Sequence, residues 1–202
     1  MPYDLLVVGG GIQGAAVARD AALRGIRVLL LERGDLACGT SSRSSKLVHG
    51  GIRYLETGQL RLVREALRER ALLLRLAPEF VRPLPFLIPH YRGEGRSRLA
   101  VRAGLALYAA FAGRHSLAAH GAVGAAETLA LEPALEQQGL LGASLYWDAQ
   151  MDDAPLCVAV AADAERAGVR RGLGRTLSPL DGPERALKNA PGESNDGCAF
   201  AR

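Results

Sequence analysis

A chain of 202 residues that is 49% hydrophobic and 23% charged suits a globular fold with a sizeable core, of one domain or a little more. Its formal net charge of +4 fits phosphates, nucleotides or acidic lipid, while an aromatic content of only 5% argues against a nucleic-acid binder that works by stacking. The cysteines, Cys38, Cys157 and Cys198, lie far apart with no CxxC and no His/Cys cluster. They support neither a disulfide framework nor a metal site, and they suit a reducing compartment.

The N-terminus, MPYDLLVVGGG, lacks the basic start, apolar run and cleavage site of a secretion signal. Tyr3 to Val8 is a short apolar run of the kind buried in a parallel sheet. It leads into Gly9, Gly11 and Gly14, a G-x-G-x-x-G that also contains Gln13. Ala15 to Arg24 then predicts a helix stopped by Gly25, and Ile26 to Leu31 a second strand that ends at Glu32.

Each part has a task in binding a dinucleotide. Gly9 allows the tight turn, Gly11 lets a pyrophosphate reach the backbone, and Gly14 lets the helix pack closely on the sheet. The helix N-terminus offers free amides and partial positive charge to the phosphates. Glu32 is placed to accept from an adenosine ribose, and its charge disfavours a 2′-phosphate. These features do not separate NAD from FAD.

The next stretch, Gly39 to Glu56, reads GTSSRSSKLVHGGIRYLE. By composition it is either a solvated surface loop or a set of hydroxyls and amides placed beside the cofactor. Further on, Gln59 to Leu76 predicts an amphipathic helix with Leu60, Val63, Leu67, Ala71 and Leu74 on one stripe, ended by Pro78. Its charges read as a solvated face with pairs such as Arg61–Glu65. Leu99 to Gly113 is apolar but short of the roughly 20 residues a membrane span needs, and it contains Arg102. The cations around it (Arg92, Arg96, Arg98, Arg114) fit either a buried helix with polar flanks or a helix lying on an anionic membrane surface. Leu145 to Trp147 reads as a strand, and Asp152 and Asp153 as capping residues of a helix that ends at Gly168. After Arg171 no helix or strand period is visible, so residues 1–171 and 172–202 are expected to differ, the second being an irregular tail.

The order of residues in GTSSRSSKLVHGGIRYLE resembles the FAD-dependent glycerol-3-phosphate dehydrogenases, as do DLLVVGGGIQGAAVARDAALRG, LLLERGDLACGTSS, LRLVREALRERALLLRLAPEFVRPLPFLIPHYR and, more weakly, LYWDAQMDDAPLCVAVAADAERAG. The resemblance implies an α/β fold, a Rossmann-like FAD-binding domain of the glutathione-reductase/D-amino-acid-oxidase-like type, incomplete at the C-terminus. It implies that Gly9, Gly11, Gln13 and Gly14 hold the pyrophosphate and Glu32 the ribose. Thr40, Ser41, Ser45, Lys46, Leu47, His49 and Gly50 would line the pyrophosphate-to-flavin part of the site. Arg53 would lie on the substrate side of the flavin, the alternative being a surface cation beside Glu56. Tyr54 would join it or serve as a packing prop. The implied activity is oxidation of sn-glycerol 3-phosphate to dihydroxyacetone phosphate, with electrons passed to membrane quinone by a cytoplasmic protein attached to the inner face of the cytoplasmic membrane; an oligomer is compatible with this. The rivals are a related flavin oxidase of another hydroxy acid or amine, and a truncated, inactive remnant.

Overall fold

The computed structural model describes residues 3–93, 95 and 97–173. In chain order its elements are β1 (Leu5–Val8), α1 (Ile12–Leu23), β2 (Val28–Glu32), β3 (Leu47–Val48), α2 (Leu60–Leu76), β4 (Val81–Tyr91), α3 (Arg98–Ala112), β5 (Gly121–Val123), α4 (Ala125–Leu131), β6 (Leu140–Met151), α5 (Asp153–Arg166) and β7 (Arg170–Leu173). Among the described residues the chain divides into two compact units, one of residues 3–44 and 153–173, the other of residues 45–152. Nothing in the composition marks those two crossings.

The first unit is built on a parallel sheet in the order β1-β2-β7. Parallel neighbours need a crossover, and α1 supplies it between β1 and β2. Val28, Leu29, Leu30 and Leu31 of the central strand are all buried, as expected where a parallel strand is covered on both faces. Burying each of these leucines contributes about 1.5–3 kcal/mol. Helix α1 turns Ala15, Ala18 and Ala21 inwards, and α5 contributes Ala161 and Ala164, so small side chains meet in this core. Arg19 and Asp163 form an ion pair between the two helices.

Helix α1 starts at Ile12, three residues before the expected Ala15, because Gly11 already serves as its N-cap. Strand β7 includes Gly172 and Leu173, which pair in parallel with Leu31 and Glu32. Regular structure therefore runs two residues past the expected break at Arg171. The rest of the expected tail, Cys198 included, lies outside the described residues.

The second unit centres on β6, far longer than the three residues read from sequence. It pairs antiparallel with β4 along one side and with β3 and β5 on the other. Strand β4 carries Pro83, Pro85 and Pro89 at alternate positions, opposite Ala149, Trp147 and Ala143. Alternate residues of a strand point their N–H groups to the same side, so all three missing donors fall on the edge away from β6, which no described strand pairs. Three prolines make this segment unlike a strand in sequence, yet an edge strand accommodates them.

Helices α2 and α3 form the unit's core through Val63, Leu67, Tyr108 and Ala112, with Ile52, Leu55, Phe111 and Tyr146 packed against it. The Tyr146 ring stacks on Phe86 at 5.2 Å and meets Tyr108 edge-on at 6.3 Å. The buried stripe of α2 is Val63, Leu67 and Arg70, whereas Leu60 is 40% exposed. The expected Arg61–Glu65 pair is present at 2.8 Å. Among the described residues, no helix is long and apolar enough to cross a membrane.

Candidate functional site in the glycine-rich turn and the serine loop

The turn from β1 into α1 has the geometry its glycines predict. Gly9 has φ +111°, a conformation open to glycine and strained for other residues. A Cβ on Gly14 would fall far inside contact distance of the Gly9 carbonyl oxygen, so only a hydrogen there lets the helix start so close to the strand. At Gly11, by contrast, a Cβ would meet nothing nearer than the Ser41 Oγ, at 3.0 Å.

Beside this turn, α1 has as its N-cap Gly11, a residue with no side chain to cap the helix, and has no acidic residue in its first turn. Such an end carries unsatisfied amides and a partial positive charge, which suits a phosphate. The Ser41 hydroxyl accepts from the Ile12 amide at 2.9 Å, so the serine loop meets the helix end directly. These residues fit the pyrophosphate of a dinucleotide.

Glu32 braces the site from the end of β2. Its Oε2 accepts from the Gly10 amide at 2.6 Å and its Oε1 from the Gly34 amide at 2.8 Å. These bonds, the Gly10 one first, hold the Glu32 carboxyl below its ordinary value. A carboxylate has about four acceptor positions, so these amides leave capacity for a ribose hydroxyl. A lowered folded pKa contributes stability that is fully present above the ordinary glutamate value near 4.5 and is lost as pH falls through the folded value. Glu32→Gln is therefore expected to flatten the decline of stability between about pH 5 and pH 3. Urea melts across that range test this, and an unchanged slope would show that Glu32 is not the responsible carboxylate.

Residues distant in sequence hold the loop in place. Asp153 Oδ2 accepts from the Ser44 hydroxyl at 2.8 Å and the Ser44 amide at 3.3 Å. Cys157 donates from Sγ to the Gly10 carbonyl at 3.6 Å, and burial raises its pKa. Asp153, expected only to cap a helix, thus anchors the serine loop. Asp152 instead pairs with Arg82 at 3.2 Å. Each of the two aspartates thus also finds a partner from another part of the chain.

The first unit therefore brings Gly9, Gly11, Gly14, Glu32 and Ser41 together, with Gln13 and Thr40 exposed nearby in the chain. The other predicted residues belong to the second unit. Ser45, Lys46 and His49 are exposed, and Leu47 sits in β3 opposite Gln150. Lys46 has φ +58°, an uncommon conformation for a residue with a side chain. Its carbonyl accepts from the Met151 amide at 2.8 Å, which ties this turn to the end of β6.

Gly51 has φ +74° and opens a short 3-10 helix, Ile52–Leu55, that carries Arg53 and Tyr54 exposed on its surface. A Cβ on Gly51 would lie 2.5 Å from Tyr54 Cδ2, so the tyrosine ring lies against this turn. Gly50 is buried, and a Cβ there would clash with the Tyr108 hydroxyl and the Leu67 side chain. Its amide donates to Asp148 Oδ1 at 3.0 Å.

Asp148, Arg70 and Tyr108 were missed by the sequence reading. Arg70 and Asp148 are each 1% exposed and pair at 2.8 Å. The signal available was a charged residue continuing an apolar stripe, with Arg70 following Val63 and Leu67.

Residues 4–190 match the FAD dependent oxidoreductase family, DAO. The chain belongs to that family. The match extends beyond residue 171, where the irregular tail was expected to begin. Over 167 residues the chain is 44% identical to a glycerol-3-phosphate dehydrogenase of Synechocystis sp., covering 82% of this chain and 30% of the relative. Over 114 residues it is 58% identical to a D-erythritol 1-phosphate dehydrogenase of Brucella abortus, covering 56% of this chain and 22% of the relative. A solved glycerol-3-phosphate dehydrogenase from Bacillus halodurans, complexed with FAD, superposes with TM-score 0.63 and 30% identity, covering 88% of this chain and 27% of that one. The chain thus spans less than a third of the length of these relatives. The Rossmann-like fold and the FAD-dependent oxidoreductase class expected from sequence are both those of the family.

Proposed function

We propose that this chain carries the FAD-binding N-terminal part of a dehydrogenase that oxidises sn-glycerol 3-phosphate to dihydroxyacetone phosphate. The observation that carries the reading is the glycine turn and the start of α1, bracketed by Glu32 and Ser41, in a chain of this family. Gly9, Gly11, Gln13 and Gly14 would hold the phosphates, and Glu32 the ribose. Bound FAD would supply the chemistry of hydride acceptance from the carbon that bears the substrate hydroxyl.

In the same reading Arg53 offers a planar, permanently charged guanidinium to the substrate phosphate or a hydroxyl, and Tyr54 steadies its turn. Quinone as the electron acceptor, attachment to an anionic membrane surface at the inner face of the cytoplasmic membrane, and self-association extend this proposal. The cations near α3 that support attachment are Arg92, Arg98, Arg102 and Arg114. A second reading, a longer polyol phosphate as substrate, is favoured by the 58% identity to the erythritol-phosphate enzyme.

The test is to incubate the purified chain with FAD, remove free flavin by gel filtration, and record the visible spectrum. Retained flavin that is bleached anaerobically by glycerol 3-phosphate supports the first reading; bleaching only by erythritol 1-phosphate supports the second. Retained flavin that neither substrate reduces would mark a cofactor-binding but inactive fragment. A colourless protein would overturn the cofactor assignment.

A further inference from the structure

Asp148 sits on β6 with three donors around one carboxylate. Arg70 Nη1 approaches Oδ1 at 2.8 Å, the Gly50 amide reaches the same oxygen at 3.0 Å, and the Tyr108 hydroxyl donates to Oδ2 at 3.0 Å. Arg70 also donates to the carbonyls of His115 at 3.0 Å and Trp147 at 3.3 Å. Burial and the neighbouring Asp148 push the Tyr108 pKa up, so its hydroxyl stays protonated and remains a donor.

A buried ion pair is weak evidence for stability, since an apolar replacement of the same volume often does as well. One partner of this pair also takes the buried Gly50 amide, which needs an acceptor where water is excluded. The Gly50 amide is the point where the buried cluster meets the backbone of an exposed segment. Directly after it, Gly51 enters the left-handed region and the short helix bearing Arg53 begins. On the other side, His49 is exposed. The Leu67 side chain and the Tyr108 hydroxyl fill the space that a side chain at Gly50 would need.

We propose that Asp148, held by Arg70 and Tyr108, is a positioning residue that sets the Gly50–Gly51 turn and through it the direction of His49 and Arg53. This rests on the reading of Arg53 as a substrate contact, and it adds three residues, from α2, α3 and β6, to the machinery that aims it. Tyr108 is the member to test, because Tyr108→Phe removes one hydrogen bond and leaves the buried charge pair intact.

The experiment is amide hydrogen exchange on the full chain without flavin, comparing wild type, Tyr108→Phe and Val63→Ala. Val63→Ala removes apolar surface from the same core cluster but no hydrogen bond. Tyr108→Phe is expected to speed exchange across residues 46–56 by roughly tenfold, the scale of one lost hydrogen bond, with α2 and β6 little changed. Val63→Ala is expected to speed all three regions by one common factor. A Tyr108→Phe profile that rises uniformly, or does not change at residues 46–56, would overturn the positioning role. In flavin-loaded protein, the same variant should raise the KM for the polyol phosphate about fivefold to tenfold with kcat changed less. The exchange arm needs no flavin, so it stands apart from any failure of the cofactor assignment.

Discussion

Asp148→Ala is expected to destabilise the protein by about 3–5 kcal/mol, because it strands the Arg70 guanidinium as a buried charge. Both partners are 1% exposed, so water cannot replace the lost carboxylate. Arg70 already has one buried donor, Nε, without a partner among the described residues. The Gly50 amide and the Tyr108 hydroxyl would lose their acceptor as well. The single tryptophan, Trp147, neighbours Asp148 on β6, so its fluorescence in a urea titration reports the unfolding of this region. The double variant Arg70→Met, Asp148→Ala should recover part of the loss, since it removes the stranded charge. A loss below about 1 kcal/mol for the single variant would mean that the pair is solvated in solution.

The second large effect is expected at Gly14. An alanine there drives its methyl into the Gly9 carbonyl, and backbone cannot rotate away as a side chain can. Either α1 or the turn must move. The expected outcome is a loss of about 1–3 kcal/mol, the range for overpacking, together with loss of flavin retention on gel filtration. Gly11→Ala is the informative comparison, since its methyl meets only the Ser41 hydroxyl. It should fold with stability within about 1 kcal/mol of wild type yet retain little flavin, because the methyl occupies the approach of the phosphates. Equal flavin retention by Gly11→Ala and wild type would remove Gly11 from the site.

Much of the first unit was legible in the sequence because its determinants are local. The apolar run before Gly9, the alanine-rich helix, the strand ending at Glu32 and the glycine spacing each state a backbone conformation within a few residues. The order of hydroxyls and glycines from Thr40 to Tyr54 was legible too, as a family resemblance that the DAO match upholds. Strand β4 was not, because three prolines mask it until β6 is present to pair with only one side.

What the sequence by itself determined is the fold class, the glycine turn and the acid at Glu32, since backbone preference and hydrophobic period act over a few residues. Only the tertiary structure decided what holds the loops. Ser44 is anchored by Asp153, 109 positions away, and the Gly50 amide by Asp148, 98 positions away. An aspartate looks alike in sequence whether it caps a helix, faces water or accepts from a distant amide. Its role is set by which groups folding brings within about 3 Å of it, and by whether water is excluded there.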